Sequence, residues 1–195
     1  MEEKTLEYII NSDDVVTHVS ETWDDFAEEN GGEGLGERVV GTWLWQHFSG
    51  REIKHLFQVL LERVRSEQIT VRVPFRCDAP ELRRFMFLEV TPQGEGAIRF
   101  RSSIQQEEPR PKVHLLEAKR PEASEAFLRM CAWCKRVDVG RGDGDESASG
   151  AGGWQEVEVA LSELELLTTH PLPRITHGVC RDCRELVLSE LAEAG

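Results

Sequence analysis

The chain has 195 residues, 39% hydrophobic and 30% charged, with a formal net charge of −13. No apolar run approaches the roughly 20 residues that span a bilayer, and the start, Met1-Glu2-Glu3-Lys4-Thr5, lacks the basic and apolar regions of a signal peptide. These features predict a cytoplasmic chain without a membrane partner, in which C-x-x-C pairs are metal or redox sites rather than structural disulfides. Residues 1–50 carry twelve acids against two bases, residues 51–120 ten against fourteen, and residues 121–195 fourteen against seven. That acidic balance repels phosphate backbones and disfavours nucleic acid as the main partner.

Taken in order, Leu6 to Ile10 reads as a strand, Asn11-Ser12-Asp13-Asp14 as a turn and Val15 to Val19 as the returning strand of a hairpin. Ser20 is placed to cap a helix carrying Trp23, Phe26 and Ala27 on one face, stopped by Asn30-Gly31-Gly32. A compact aromatic-rich segment follows, Val39 to Gly50. Ser49 and Glu52 have the spacing of a capping box for a helix from about Arg51 to Arg65. Ile53, Leu56, Phe57, Leu60 and Val64 give that helix one buried face. The period then changes to two. Ile69, Val71, Val73 and Phe75 alternate with polar residues, Arg84 to Thr91 is nearly continuous in apolar residues, and Ile98, Phe100, Ser102 and Ile104 alternate again. Turns at Cys77-Asp78-Ala79-Pro80 and Pro92 to Gly96 make these three strands antiparallel neighbours, and the long helix must bury its face on their sheet.

Pro109-Arg110-Pro111 reads as a linker. Val113-His114-Leu115-Leu116 is a further strand or part of the join, and Glu122 to Arg129 a short helix. Lys135 to Val139 is a candidate strand. Residues 140–153 form a Gly-rich polar loop whose composition cannot offset the entropy of ordering it. Within that loop, Arg141-Gly142-Asp143 is a chance word, and the ligand pattern of an EF-hand is absent. Trp154 to Val159 alternates as a strand, Ala160 to Leu167 reads as a short helix or its continuation, and Arg184 to Ala194 is helical.

The chemistry-bearing motif is split. Cys131-Ala132-Trp133-Cys134 and Cys180-Arg181-Asp182-Cys183 are both C-x-x-C. Each spacing lets a tight turn aim two sulfurs at one ion, and two pairs supply the four thiolates of a closed tetrahedral zinc site. The expected cofactor is therefore structural Zn2+ on Cys131, Cys134, Cys180 and Cys183. His177 is expected to brace a sulfur or the backbone from outside the ligand set. The order of the two pairs, the second opening a helix, suggests a treble-clef-like module over residues 130–195. The fifth cysteine, Cys77, has Arg83 and Arg84 nearby, which would lower its pKa and make it reactive; the preferred reading is an ordinary turn cysteine, since reactivity also needs exposure.

The order of elements over residues 5–106 resembles a PAS domain, a sensor fold with a five-stranded antiparallel sheet and helices on one face. Ile10-Asn11-Ser12-Asp13-Asp14-Val15-Val16 with Trp23-Asp24-Asp25-Phe26-Ala27 looks like the first hairpin and helix of many such domains, and Val39-Val40-Gly41-Thr42-Trp43-Leu44-Trp45 is similar to the turn before their long helix. The C-terminal part is similar to a tail met in bacterial signalling proteins, matched here by Cys131, Trp133, Cys134, Lys135, Trp154, Thr176, His177, Gly178, Cys180 and Cys183. That tail implies no enzymatic activity.

The expectation is thus an α+β chain: a PAS-like domain at 5–106, a linker or helix at 107–129, and a four-cysteine zinc module at 130–195. The resemblance implies a pocket for a small ligand, haem or flavin among the candidates. Trp43, Trp45, Phe57 and Phe75 either line it or are plain core. His55 lies off the apolar stripe, which places it in solvent rather than on a haem iron. With no kinase, helix-turn-helix or cyclase-like segment alongside, the expected role is a non-enzymatic signalling adaptor acting on an unknown signalling protein, with a homodimer as a further expectation. A thiol or zinc redox sensor and a nucleic-acid-binding zinc regulator remain the alternatives.

Overall fold

The computed structural model describes residues 5–117, 122–140, 153–169 and 171–194. β1 (Thr5–Ile10) and β2 (Val16–Val19) pair antiparallel. Asn11 builds the turn between them: its Oδ1 accepts from the Asp13 and Val15 amides at 3.0 and 2.9 Å, the local bonding that favours Asn in turns. Asp14 in the same turn ties it to two helical segments. Its carboxylate accepts from Trp45 Nε1 at 2.7 Å and pairs with Arg65 at 2.7 Å.

α1 (Glu21–Glu29) begins where expected, with Ser20 Oγ accepting from the Trp23 amide at 3.2 Å. α2 (Leu35–Val39) and a 3-10 turn at Leu44–His47 follow. α3 (Arg51–Glu67) buries Ile53, Leu56, Phe57, Leu60, Leu61 and Val64 on one stripe. Its start corrects the expected capping box. The residue at the N-cap is Gly50, at φ 99°, and no side chain caps the helix. A Cβ on Gly50 would stand 2.7 Å from the His177 carbonyl oxygen, so glycine is required by both the left-handed backbone and the close approach of a remote segment.

β3 (Val71–Arg76), β4 (Leu82–Pro92) and β5 (Ile98–Pro109) complete a five-stranded sheet in the order β2-β1-β5-β4-β3, antiparallel throughout. The register places Tyr8 opposite Phe100, Ser102 opposite both Leu6 and Leu88, and Phe75 opposite Met86. These alternate residues form the sheet face that packs on α3, in a core with Ile10, Val71, Val73, Leu88, Val90, Ile98 and Phe100.

The second half departs further from expectation. After a 3-10 turn at His114–Leu116, where a strand was one reading, comes β6 (Phe127–Cys131). It replaces the C-terminal end of the helix expected at 122–129. Leu128 and Met130 point inward while Phe127 is exposed, a period of two, and parallel pairing with β9 (Arg174–Gly178) satisfies the backbone. β7 (Val137–Asp138) and β8 (Trp154–Gln155) are short. The expected strand at 154–159 ends at Gln155, because Val157, Ala160 and Leu161 have helical spacing and form the buried face of α4 (Val157–Glu163). α5 (Arg181–Glu193) closes the chain.

The four-stranded sheet has the order β8-β7-β6-β9. A small core of Val113, Leu115, Leu128, Met130, Val137, Val157, Ala160, Leu161 and Leu172 lies against it. Val113 and Leu115, expected to be linker, are thus buried with the C-terminal elements. The loop expected at 140–153, with its Arg141-Gly142-Asp143 triplet, falls at 141–152 outside the described residues. No described helix is long and apolar enough to cross a membrane.

Candidate metal centre

Two pieces of local structure converge. The first is the turn between β6 and β7. The Lys135 amide donates to Cys131 O at 3.0 Å and the Cys131 amide to Arg136 O at 2.7 Å, with Lys135 at φ 64° to bring the chain around. This places Cys131 and Cys134 on one side of the turn. The second is the start of α5. Cys180 is its N-cap, and the Cys183 amide donates to Cys180 Sγ at 3.5 Å. A further bond joins the pieces, from the Cys180 amide to Cys131 Sγ at 3.4 Å.

The sulfurs of Cys131, Cys134, Cys180 and Cys183 all lie within 4.8 Å of one another. Cys134 Sγ and Cys180 Sγ are 3.8 Å apart. Bonds of about 2.3 Å to a tetrahedral zinc give a sulfur–sulfur edge of about 3.8 Å, so the donor set fits that ion. Cys131, Cys180 and Cys183 are buried and Cys134 is half-buried. In the absence of a cation the four thiols compete for negative charge. Hydrogen bonds from Cys134, Cys180, Cys183 and the Cys180 amide hold Cys131 well below the usual thiol range, while contact with Cys131, Cys134 and Cys180 pushes Cys183 above it. A divalent ion removes that conflict and leaves all four ionised. The N-terminus of α5 and Arg136 add positive charge. Burial lowers the Arg136 pKa, but Cys134, Glu156 and Asp182 together hold it above its ordinary value. Four sulfurs would fill the shell of a tetrahedral ion.

The knuckle is fastened to the five-stranded unit. Trp133 is buried between the two cysteines of its turn, meets Phe57 of α3 in a tilted ring contact at 5.3 Å and donates through Nε1 to Pro74 O at 2.8 Å. The Arg76 amide donates to Trp133 O at 2.7 Å. Ser49 and Glu52, expected to cap α3, serve the same junction. Ser49 Oγ meets His177 Nδ1 at 3.3 Å, and Glu52 accepts from Arg129 at 2.6 Å and from the Val179 amide at 3.2 Å. His177 therefore braces against Ser49 rather than a sulfur. Burial and Lys135 push its imidazole pKa down, against the opposing pull of Cys131.

Of the four candidate pocket residues, Phe57 and Phe75 line a cavity of about 260 Å³ between α3, the sheet and the knuckle. Trp43 does not, being 55% exposed. Trp45 is buried elsewhere, bonded to Asp14 and in ring contact with Phe48 at 5.8 Å. The residues that sequence reasoning missed at this cavity include Tyr8, Phe48, Arg76, Ser102, Trp133 and Lys135. An aromatic inside a C-x-x-C was the available signal for Trp133. His55 is exposed, as expected. Cys77 touches the cavity, but burial pushes its thiol pKa up and outweighs the lowering effect of Lys135 and Arg84. That agrees with the reading of Cys77 as an ordinary turn cysteine rather than an arginine-activated thiol.

A second missed cluster lies beside it. The Asp78 carboxylate, fully buried, accepts from Arg76 at 2.5 and 3.2 Å and from Arg110 at 3.1 Å. Arg76 and Arg110 reach on to Glu156 and Glu158 at the start of α4, at 2.7 and 3.3 Å. This network joins the edge of the large sheet to the small core.

No family model, no curated protein and no solved structure matches the chain.

Proposed function

We propose that the chain is a non-enzymatic signalling adaptor, with a PAS-like sensor unit whose state reaches a partner protein through a treble-clef-like structural zinc module. The observation that carries this reading is the shared junction. The metal knuckle inserts Trp133 into the aromatic core of the sensor unit, where Trp45, Phe48, Phe57 and Trp133 follow one another at ring distances of 5.8, 4.7 and 5.3 Å. A change in the packing of α3 on its sheet therefore bears directly on the metal-bearing segment. The order of elements, two strands, helices, a long helix and three strands, supports the PAS-like assignment.

Metal analysis and a visible absorption spectrum on protein purified without added metal test it. The expected result is one zinc per chain with no visible band. A haem or flavin band would make the unit a cofactor sensor instead. Absence of metal, with four freely titratable or disulfide-bonded thiols, would overturn the zinc module and favour a thiol redox device.

A further inference from the structure

The cavity beneath the knuckle has walls from both halves of the chain. Tyr8 and Phe75 come from the sheet, Phe48 and Phe57 from the helical layer, and Trp133 from between two metal-ligating cysteines. Five aromatic rings around about 260 Å³ suit a flat ring, which gains from offset or edge-on contact with them. At about 30 Å³ per water, the space holds the equivalent of some nine waters, enough for a ligand of about ten non-hydrogen atoms.

Its polar groups lie at opposite sides, and two of them are already engaged: Arg76 is taken up by Asp78 and Glu156, and burial keeps Cys77 protonated. Ser102 faces in from β5, next to Leu88 across the register, and Tyr8 stacks on Phe100 at 4.4 Å. Burial pushes the Tyr8 phenol pKa upward, so it stays a neutral donor. On the knuckle side stands Lys135. Its ammonium donates to Ala132 O at 2.8 Å and makes no ion pair among the described residues. A cation with spare donors at the edge of an aromatic cavity selects an anionic group on the ring.

We infer that this cavity takes a small aromatic carboxylate, and that the metal-bearing knuckle is its outer wall, so that ligand and metal binding are thermodynamically linked. The inference rests on the sensor reading above and names its ligand class. Trp133 and Lys135 sit inside or next to the first C-x-x-C, so whatever fixes the cysteines fixes one wall. A ligand that needs that wall must, by reciprocity, hold the metal more tightly.

The test uses the full, zinc-loaded chain with 4-hydroxybenzoate and phenol as probes, read by NMR shifts of the Trp133 indole N–H. The expected result is that 4-hydroxybenzoate shifts this signal and binds about tenfold more tightly than phenol, the worth of a charge-assisted bond. Lys135→Gln erases that preference. Ser102→Leu fills the cavity and removes both interactions while zinc content stays at that of the parent. Stripping zinc with a chelator weakens 4-hydroxybenzoate binding about tenfold or more, and saturating probe raises the zinc affinity, read by chelator competition at equilibrium, by the same factor. Equal affinity with and without zinc, an unchanged preference in Lys135→Gln, or no shift at millimolar probe would each overturn the inference. In those cases a zinc-loaded, colourless chain still keeps the adaptor reading; a chain without zinc loses both.

Discussion

In the five-stranded sheet, three of the four pairings join strands adjacent in sequence, β1 with β2, β3 with β4 and β4 with β5. In the four-stranded sheet the most extended pairing joins Phe127–Cys131 to Arg174–Gly178, and β7 and β8 contribute two residues each. The first region rests on a continuous core against α3. Among the described residues the second has a small core of nine buried residues and a ring of four sulfurs, and it reaches the first region's core through Trp133, the cysteines and Val187 and Leu191 of α5. One is held by burial that its local hairpins bring about; the other depends on a long-range contact that a metal can fix. Loop closure costs entropy before such a contact gives anything back, and a shared ion is one way to offset it.

The largest expected effect separates the two regions outright. Replacing Cys180, which caps α5 and lies within 4.8 Å of the other three sulfurs, by Ser should abolish zinc binding. The β6–β9 pairing and α5 should lose their structure, since a structural zinc contributes on the order of 10 kcal/mol to a small module. Far-UV circular dichroism would then show partial loss of helix, with the five-stranded unit still melting cooperatively.

Next comes the buried network between the regions. Asp78→Ala removes the buried partner shared by the Arg76 and Arg110 guanidinium groups, whose side chains are 9% and 4% exposed, and leaves them the more exposed Glu156 and Glu158. Urea denaturation should show a loss of about 3–5 kcal/mol. A comparable change in the five-stranded unit alone is Leu60→Ala, at a fully buried position of α3, expected to cost about 2–5 kcal/mol and to leave zinc content unchanged.

The reading from periodicity worked where an element is local. The α3 stripe, the Ser20 cap and the hairpins around β4 follow from side chains whose partners lie within a few residues. It failed where the partner is remote. Glu122 to Ala126 offered helix-forming residues, yet the chain is extended at Phe127–Cys131 because β9 supplies hydrogen bonds from more than forty residues downstream. Ser49 and Glu52 had the spacing of a cap and instead face His177, Arg129 and Val179. The convergence of the cysteine pairs was legible because two C-x-x-C turns are the spacing that one tetrahedral ion would need. The cavity wall at Trp133 and the Asp78 network were not, since nothing in local sequence says that these residues meet α3 or α4.

Smaller effects sharpen the contrast. Cys77 should react with a disulfide reagent more slowly than a free thiol at pH 8, because its folded pKa is raised by burial. The sign follows: the folded state holds this proton more tightly, so the contribution to stability is full below the unfolded value near 9.0 and is lost as pH rises through the folded one. Cys77→Ala should remove that alkaline slope in a pH series of melts. The exposed Glu52–Arg129 pair, 57% and 40% exposed, should contribute least. Arg129→Ala is expected to cost less than about 1 kcal/mol in the same melts and to leave the metal bound.

Hydrogen exchange before and after zinc removal tests the central claim, that the four-cysteine knuckle is built into the core of the five-stranded unit. The Arg76 amide, bonded to Trp133 O, is the reporter. The account predicts that chelation strips protection from Arg76 and from α5 while Val73, Val90 and Phe100 stay protected. Unchanged protection at Arg76 after complete zinc loss would contradict it.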